Sequence, residues 1–278
     1  MEELTNILHS HGLYPQNFEI GVFQRFPAAG KPRTNKSAYL CIFPDGNGAI
    51  YGDFTTGLYA TWQRNIGREY TRAEKKKFAL QQAACREKLD KETKEKNQKA
   101  AIDAQKIWSE AQVTISHPYL IQKQIQPHNT RISIHGVLLI PIYSPETLEL
   151  SSLQKIAPTG QKQFHTGGRI KGCFSAIGNM KSPNEKILIC EGFATGASLY
   201  EELNEFTVCA LSANNLVSVA ITFRKMYPEA NIIICGDNDV NGIGQRSANE
   251  AAVNVGGLVL IPPNEGMDWN DYLANGGN

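Results

Sequence analysis

Along residues 38–54, AYLCIFPDGNGAIYGDF, apolar positions alternate with polar or small ones on either side of DGNG, the pattern of two strands joined by a hairpin turn. With a short helix expected ahead of them, residues 1–66 read as a small N-terminal α+β module. From Thr71 to Gln112 the alternation gives way to Lys, Glu, Gln and Ala with no Gly or Pro, which predicts a long helix or helical hairpin. Its apolar residues, Phe78, Leu80, Leu89, Ile102, Ile107 and Trp108, are too sparse for a wide buried face. Residues 67–116 therefore read as a long charged helical linker, whose mixed-sign run REKLDKETKEKNQK is a solvated surface with i,i+4 pairs. After Pro118 six apolar runs suit strands: GVLLIPIYS, SSLQKIAPTG, KILICEGF, FTVCALS, NIIICGDND and GGLVLIPP. The last four alternate with helices expected over 196–203, 216–226 and 245–255, the signature of a parallel sheet covered on both faces. The fold class is α/β, with a subdomain over 117–184 and a compact α/β domain over 185–278.

Composition narrows the class of protein. With 278 residues and 41% hydrophobic content the chain can bury a real core, and a formal charge of +1 gives no global basic signature. Positive charge aimed at a nucleic acid must therefore be concentrated locally. The six cysteines are scattered, with no C-x-x-C pair and no Cys/His cluster at zinc spacing, so no structural zinc is expected. They read as small buried thiols in a reducing compartment. No stretch suits a secretion signal or a membrane span, and the chain reads as soluble and cytoplasmic.

The candidate chemistry sits where the apolar runs end. In open parallel sheets ligands bind beyond the carboxyl ends of the strands. Glu191 follows ILIC, Asp237 and Asp239 follow IIICG, and Asp268 and Asp271 follow VLIPPNEGM. No Lys or Arg adjoins Glu191 in sequence, and several carboxylates on one edge repel unless a cation offsets them. Oxygen-only ligands favour Mg²⁺ or Mn²⁺, so a metal rather than a lysine is the expected partner. Gly192, Gly196 and Gly242 read as turns or as points of close phosphate approach, and Asp271 has a second reading as a helix cap.

Glu191-Gly192, then Asp237-x-Asp239 with Gly242 and an Ala-rich helix, then DWND, resembles the TOPRIM domain of bacterial-type primases, topoisomerases and some nucleases. The phrases EGFATGASLYE, IIICGDND and GGLVLIPPNEGMDWND are most similar to primases of phages, plasmids and integrative elements. HGVLLIPIYSPETLELSSLQKIAPTGQKQFHTGGRIKGCFSAIG resembles the segment preceding TOPRIM in bacterial primases, and residues 24–62 resemble the N-terminal module of mobile-element primases. The resemblance implies a DNA-directed RNA polymerase, a nucleotidyltransferase that makes short RNA primers on a single-stranded DNA template from ribonucleoside triphosphates with Mg²⁺ or Mn²⁺. It implies Asp237 and Asp239 as metal ligands, Glu191 as ligand or proton acceptor, and Asp268 and Asp271 as lesser ligands. Lys155, Lys162, Arg169 and Lys171, with Arg25, Lys31, Arg33 and Lys36 of the N-terminal module, are the candidates for nucleic acid or nucleotide.

Tyr39, Phe43, Tyr51, Phe54 and Trp62 can stack on bases, although alternate aromatics on strands ordinarily fill a core. The N-terminal module serves either template recognition or partner docking. No membrane partner is expected. The sequence leaves no room for a fused helicase domain, so a replicative helicase is expected from another chain if one is used. Two readings stand beside the primase: a TOPRIM metal-dependent nuclease, and a non-catalytic DNA-binding TOPRIM protein.

Overall fold

A computed structural model describes residues 1–180, 182 and 186–277. The boundary expected at 184/185 lies outside the described residues. The chain divides into two compact units, Met1–Glu95 and the part from Lys96 onward.

In the first unit, helix α1 (Glu2–Ser10) precedes an antiparallel meander of β1 (Phe23–Phe26), β2 (Ala38–Ile42), β3 (Gly48–Asp53) and β4 (Leu58–Gln63) in sequential order. Leu40, Ile42, Ala49, Tyr51 and Trp62 point to one face and pack with Leu4 and Leu8 of α1. The opposite face carries Cys41, Phe43 and Ile50, covered by Cys85 and Phe78. These come from α2 (Arg72–Glu110), which begins with a reciprocal capping box: Glu74 N–H bonds Thr71 Oγ1 and Thr71 N–H bonds Glu74 Oε2. The sparse apolar residues of α2 are used in narrow stripes. Leu89 is buried and Phe78 packs within the first unit, while Ala104, Ile107 and Trp108 join a core cluster of the second; Leu80 and Ile102 stay exposed.

The second unit holds two five-stranded sheets. The first is antiparallel: β5 (Gln112–Val113), then, after helix α3 (Pro118–Lys123), β6 (Arg131–Ile132), β7 (Leu138–Tyr143), β8 (Leu150–Ile156) and β9 (Lys162–Phe164). The other contains β10 (Ser175–Ile177), β11 (Lys186–Cys190), β12 (Thr207–Cys209), β13 (Asn231–Cys235) and β14 (Leu258–Leu260), in the order β10-β12-β11-β13-β14, with only β10 antiparallel. Helices α4 (Phe193–Leu203), α5 (Ala213–Met226) and α6 (Ile243–Val255) connect the parallel strands, and α7 (Trp269–Ala274) follows.

Alternation along β11 divides the core. Leu188 and Cys190 face α4 and the antiparallel sheet, whereas Ile187 and Ile189 face α5 and α6. Gly196 is buried in α4, where an added Cβ would fall inside van der Waals contact of Cys209 Sγ and lie 3.1 Å from Cys190 Sγ. The expected phosphate approach at Gly196 is therefore replaced by close helix-on-strand packing. Gly196→Ala should destabilise the protein by roughly 2 kcal/mol in chemical denaturation, as overpacked cores do. Adding Cys209→Ala should recover part of that loss, and a purely additive pair would refute the clash.

Candidate metal and nucleotide site

The parallel strands run 2-1-3-4 when numbered from β11, which places a topological switch point between β11 and β13. Glu191 leaves the carboxyl end of β11 and Asp237 follows β13 by two residues. The chain can make that step tightly because residue 236 is Gly: a Cβ there would stand 2.6 Å from Ala248 Cβ and 2.7 Å from Ile261 Cδ1.

Between the two aspartates, Asn238 turns away. Its side chain donates to Pro262 O (2.8 Å) and accepts from Gln245 (2.7 Å), and its backbone pairs with Gly266 and Met267. This anchoring leaves Asp237 and Asp239 on the other side of the turn. Asp239 Oδ2 accepts the Gly244 N–H at 3.0 Å, in the first turn of α6. Gly242, the N-cap residue, has φ +70°, a left-handed conformation that favours glycine. Gly192, the N-cap of α4, has an ordinary extended conformation, and an added Cβ would meet only Thr195 Oγ1, in ordinary contact at 3.5 Å.

Glu191 is held by the turn after β12. Leu211 N–H donates to Glu191 O at 2.7 Å, and the Ala213 amide, at the start of α5, donates to its carboxylate. Leu211 is a buried residue with φ +66°, an unusual conformation for leucine, so this turn is fixed by its surroundings. Burial pushes the Glu191 carboxyl pKa up, with Asp239 and Asp268 adding to the effect. Asp237 is pushed further, to about 7, by burial first and then by Glu191, Asp268 and Asp239.

Asp268 is the N-cap of α7 and accepts from the Asp271 N–H at 2.8 Å, so the capping role considered for Asp271 belongs to Asp268. The Asp271 carboxylate instead pairs with Lys123 Nζ at 2.9 Å. One cation does reach the acidic edge, which corrects the expectation that no lysine partners Glu191. Lys162, on β9, lowers the pKa of both Glu191 and Asp237. Solvent reaches its side chain, yet enough protein surrounds the ammonium to push its pKa down, and it lies 5.4 Å from the Tyr119 ring centroid. The Tyr119 hydroxyl is buried without a hydrogen-bond partner, and burial pushes it up to about 12.

The other basic candidates of the second unit sit elsewhere within it. Arg169 is engaged by Glu146 through two bonds of 2.9 and 2.8 Å, Lys171 is exposed in a turn, and Lys155, on β8, lies near His165. Arg25, Lys31, Arg33 and Lys36 belong to the first unit. Lys123, Tyr119 and Leu211 were not among the sequence candidates; nothing in their local sequence marks them.

The residues fit a hard divalent ion in chemistry. Asp237 Oδ1 is buried with no hydrogen-bond partner, and the acids that act on it, Glu191, Asp268 and Asp239, offer oxygen ligands. Among the described residues no three Asp, Glu, His or Cys side chains already close into a ligand set. The clustering has a consequence for the metal-free protein. Because the folded Asp237 carboxyl holds its proton to about pH 7 while the unfolded one releases it near 3.8, stability is fully present below pH 3.8 and falls as pH rises through 7. The Tm difference between wild type and Asp237→Asn, measured in chelator, should change by several degrees across that window, with wild type losing ground as pH rises. A pH-independent difference would contradict the burial of this carboxyl.

The family described as Toprim domain matches residues 186–278. A DNA primase TraC of Escherichia coli is 31% identical over 264 residues, covering 87% of this chain and 24% of that protein. A second DNA primase TraC of Escherichia coli is 28% identical over 291 residues, covering 94% of this chain and 19% of that protein. The chain thus spans about a quarter or less of the curated relatives it matches. Among solved structures, the primase fragment of the bacteriophage T7 primase-helicase protein aligns with a TM-score of 0.47 at 16% identity, over 59% of this chain and 72% of that one.

Proposed function

We propose, from the match of residues 186–278 to the Toprim domain family, that this chain carries the catalytic centre of a DNA primase. It joins ribonucleotides into short RNA primers on single-stranded DNA, in the replication or transfer of a mobile element. The observation that carries this reading is the convergence of Glu191, Asp237, Asp239 and Asp268 on one sheet edge with Lys162 against them. The similarity to the TraC primases along most of the chain supports it.

Asp237 and Asp239 would hold Mg²⁺ or Mn²⁺, which would supply charge neutralisation for the phosphates when bound. Asp239 offers its carboxylate from a fixed position, since Gly244 N–H holds one oxygen. Glu191, with its raised pKa and fixed backbone, is either a further ligand or the group that accepts the 3′-hydroxyl proton. Lys162 faces the acids from the antiparallel sheet and would take the triphosphate of the incoming nucleotide. Asp268 and Asp271, one capping α7 and the other paired with Lys123, support the edge and serve as lesser ligands. Lys155 and Lys171 lie outside this cluster and contact the template backbone. Arg169, tied to Glu146, reaches phosphate only by exchanging that partner.

Purified protein is tested with single-stranded DNA of mixed sequence, labelled ribonucleotides and Mg²⁺ or Mn²⁺, with products resolved on a denaturing gel. A ladder of short RNAs is the expected result. Shortened template without ribonucleotide incorporation would replace the primase with a nuclease.

A further inference from the structure

The first unit contains a concentration of positive charge, opposite in sign to the acidic edge. A recess of about 520 Å³ lies beside β1 and the loop that leads to β2, lined among others by Gln24, Arg25, Arg33, Asn35 and Lys36, with Glu19 as its acid. That volume lies in the range of small-ligand sites. The loop is shaped from within: Asn35 Oδ1 accepts from Ala28 N–H, Ser37 N–H and the Ser37 hydroxyl. Among the described residues no ion pair neutralises Arg25, Arg33 or Lys36. By contrast Arg68, Lys77, Lys123, Arg169 and Lys186 are each held by a carboxylate. Arg33 and Lys36 remain available to an anion, whereas Arg25 already feels the charge of Glu92 on α2.

An aromatic surface adjoins them. The Arg25 guanidinium carbon lies 4.3 Å from the Phe54 ring centroid and 5.4 Å from that of Phe23, and Arg25 Nη1 donates to Lys36 O. Phe54 also rests on Tyr39, with ring centroids 5.0 Å apart, and its N–H donates to Ser37 O. Of the five aromatics that could stack on bases, Tyr39, Phe43, Tyr51 and Trp62 are 0–4% exposed and form core, whereas Phe54 is 44% exposed. A phenylalanine left open to water beside unpaired cations suits a ligand that is flat and apolar at one end and anionic at the other. Single-stranded nucleic acid has that chemistry, with bases that stack on aromatic faces and phosphates that pair with Arg and Lys.

We infer that the first unit holds its own single-strand site, with a base stacked on Phe54 and adjoining phosphates bound by Arg25, Arg33 and Lys36. The inference rests on the reading that this protein works on single-stranded DNA, and it assigns a contact apart from the acidic edge. Neither sequence specificity nor catalysis is required of the site: it holds the strand.

The test uses the full chain and an oligodeoxythymidylate of about 12 nucleotides carrying 5-iodouracil, followed by irradiation and tryptic mapping. The crosslink is expected in the peptide 37–64, which contains Phe54, and should disappear in Phe54→Leu. Phe54→Leu and the double variant Arg33→Gln/Lys36→Gln should each weaken binding roughly tenfold by anisotropy, at unchanged Tm. Crosslinks confined to residues after Lys96, together with binding within about twofold of wild type in both variants, would overturn the inference. Equal competition by thymidine monophosphate would also overturn it, by making the recess a mononucleotide pocket. Asp237→Asn should keep the crosslink while losing primer synthesis. A crosslink in a protein that makes no primers would leave this site standing and remove the primase reading, and primers without the crosslink would do the reverse.

Discussion

Asp237→Asn should reduce primer synthesis by about three orders of magnitude while leaving the fold intact, since a metal ion contributes several kcal/mol to the stabilisation of a phosphoryl transition state. Asparagine keeps the size of the side chain but removes the charge that the surrounding acids oppose. In metal-free buffer the variant should therefore be more stable than wild type at neutral pH, because Asp237 is pushed up to about 7 chiefly by burial and then by Glu191, Asp268 and Asp239. Added Mn²⁺ should raise the Tm of wild type well above that of the variant. Loss of activity accompanied by the wild-type response to Mn²⁺ would move the ion away from Asp237. Unchanged activity would remove the switch-point edge as the catalytic centre.

Lys162→Met should lower kcat/KM for ribonucleotides roughly a hundredfold, as removal of a preorganised charge donor commonly does. Methionine retains most of the apolar stem while removing the ammonium and its approach to the Tyr119 ring, so the readout isolates the charged group. A second effect has the opposite sign. Lys162 offsets the charge of Glu191 and Asp237, and without it the edge is more negative, so Mn²⁺ should bind several-fold more tightly even as turnover falls. Titration of Mn²⁺ by calorimetry separates the two effects. A weaker metal together with slower turnover would mean that Lys162 maintains the local structure instead of facing the phosphates.

Much of the architecture follows from local pattern. The parallel strands ending on Cys190 and Cys235 are legible because each is a short, nearly continuous apolar run, and such runs are buried on both faces. The two-sided use of β11, with Ile187 and Ile189 toward α5 and α6 and Leu188 and Cys190 toward α4, is the physical content of that pattern. The 39-residue helix α2 is legible in the same way, from its composition and its lack of Gly and Pro. Its burial is not legible, because two narrow stripes spread over so many turns leave almost no periodic signal.

The acidic residues of the edge are also visible in the chain, since each follows the carboxyl end of an apolar run, where an unpaired carboxylate needs an explanation. Their partners are not visible. Lys162 lies 29 residues before Glu191 on a strand of the other sheet, and Lys123 is separated from Asp271 by 148 positions. The choice of Asp268 over Asp271 as the cap of α7, and the selection of Phe54 as the exposed aromatic among four buried ones, depend on the same kind of information. The sequence by itself determined which segments are strands and helices and which carboxylates end them, because those properties are set by neighbours along the chain. Only the tertiary structure decided which cation meets which acid and which ring meets water, because charge compensation and burial act through space between residues that the sequence holds far apart.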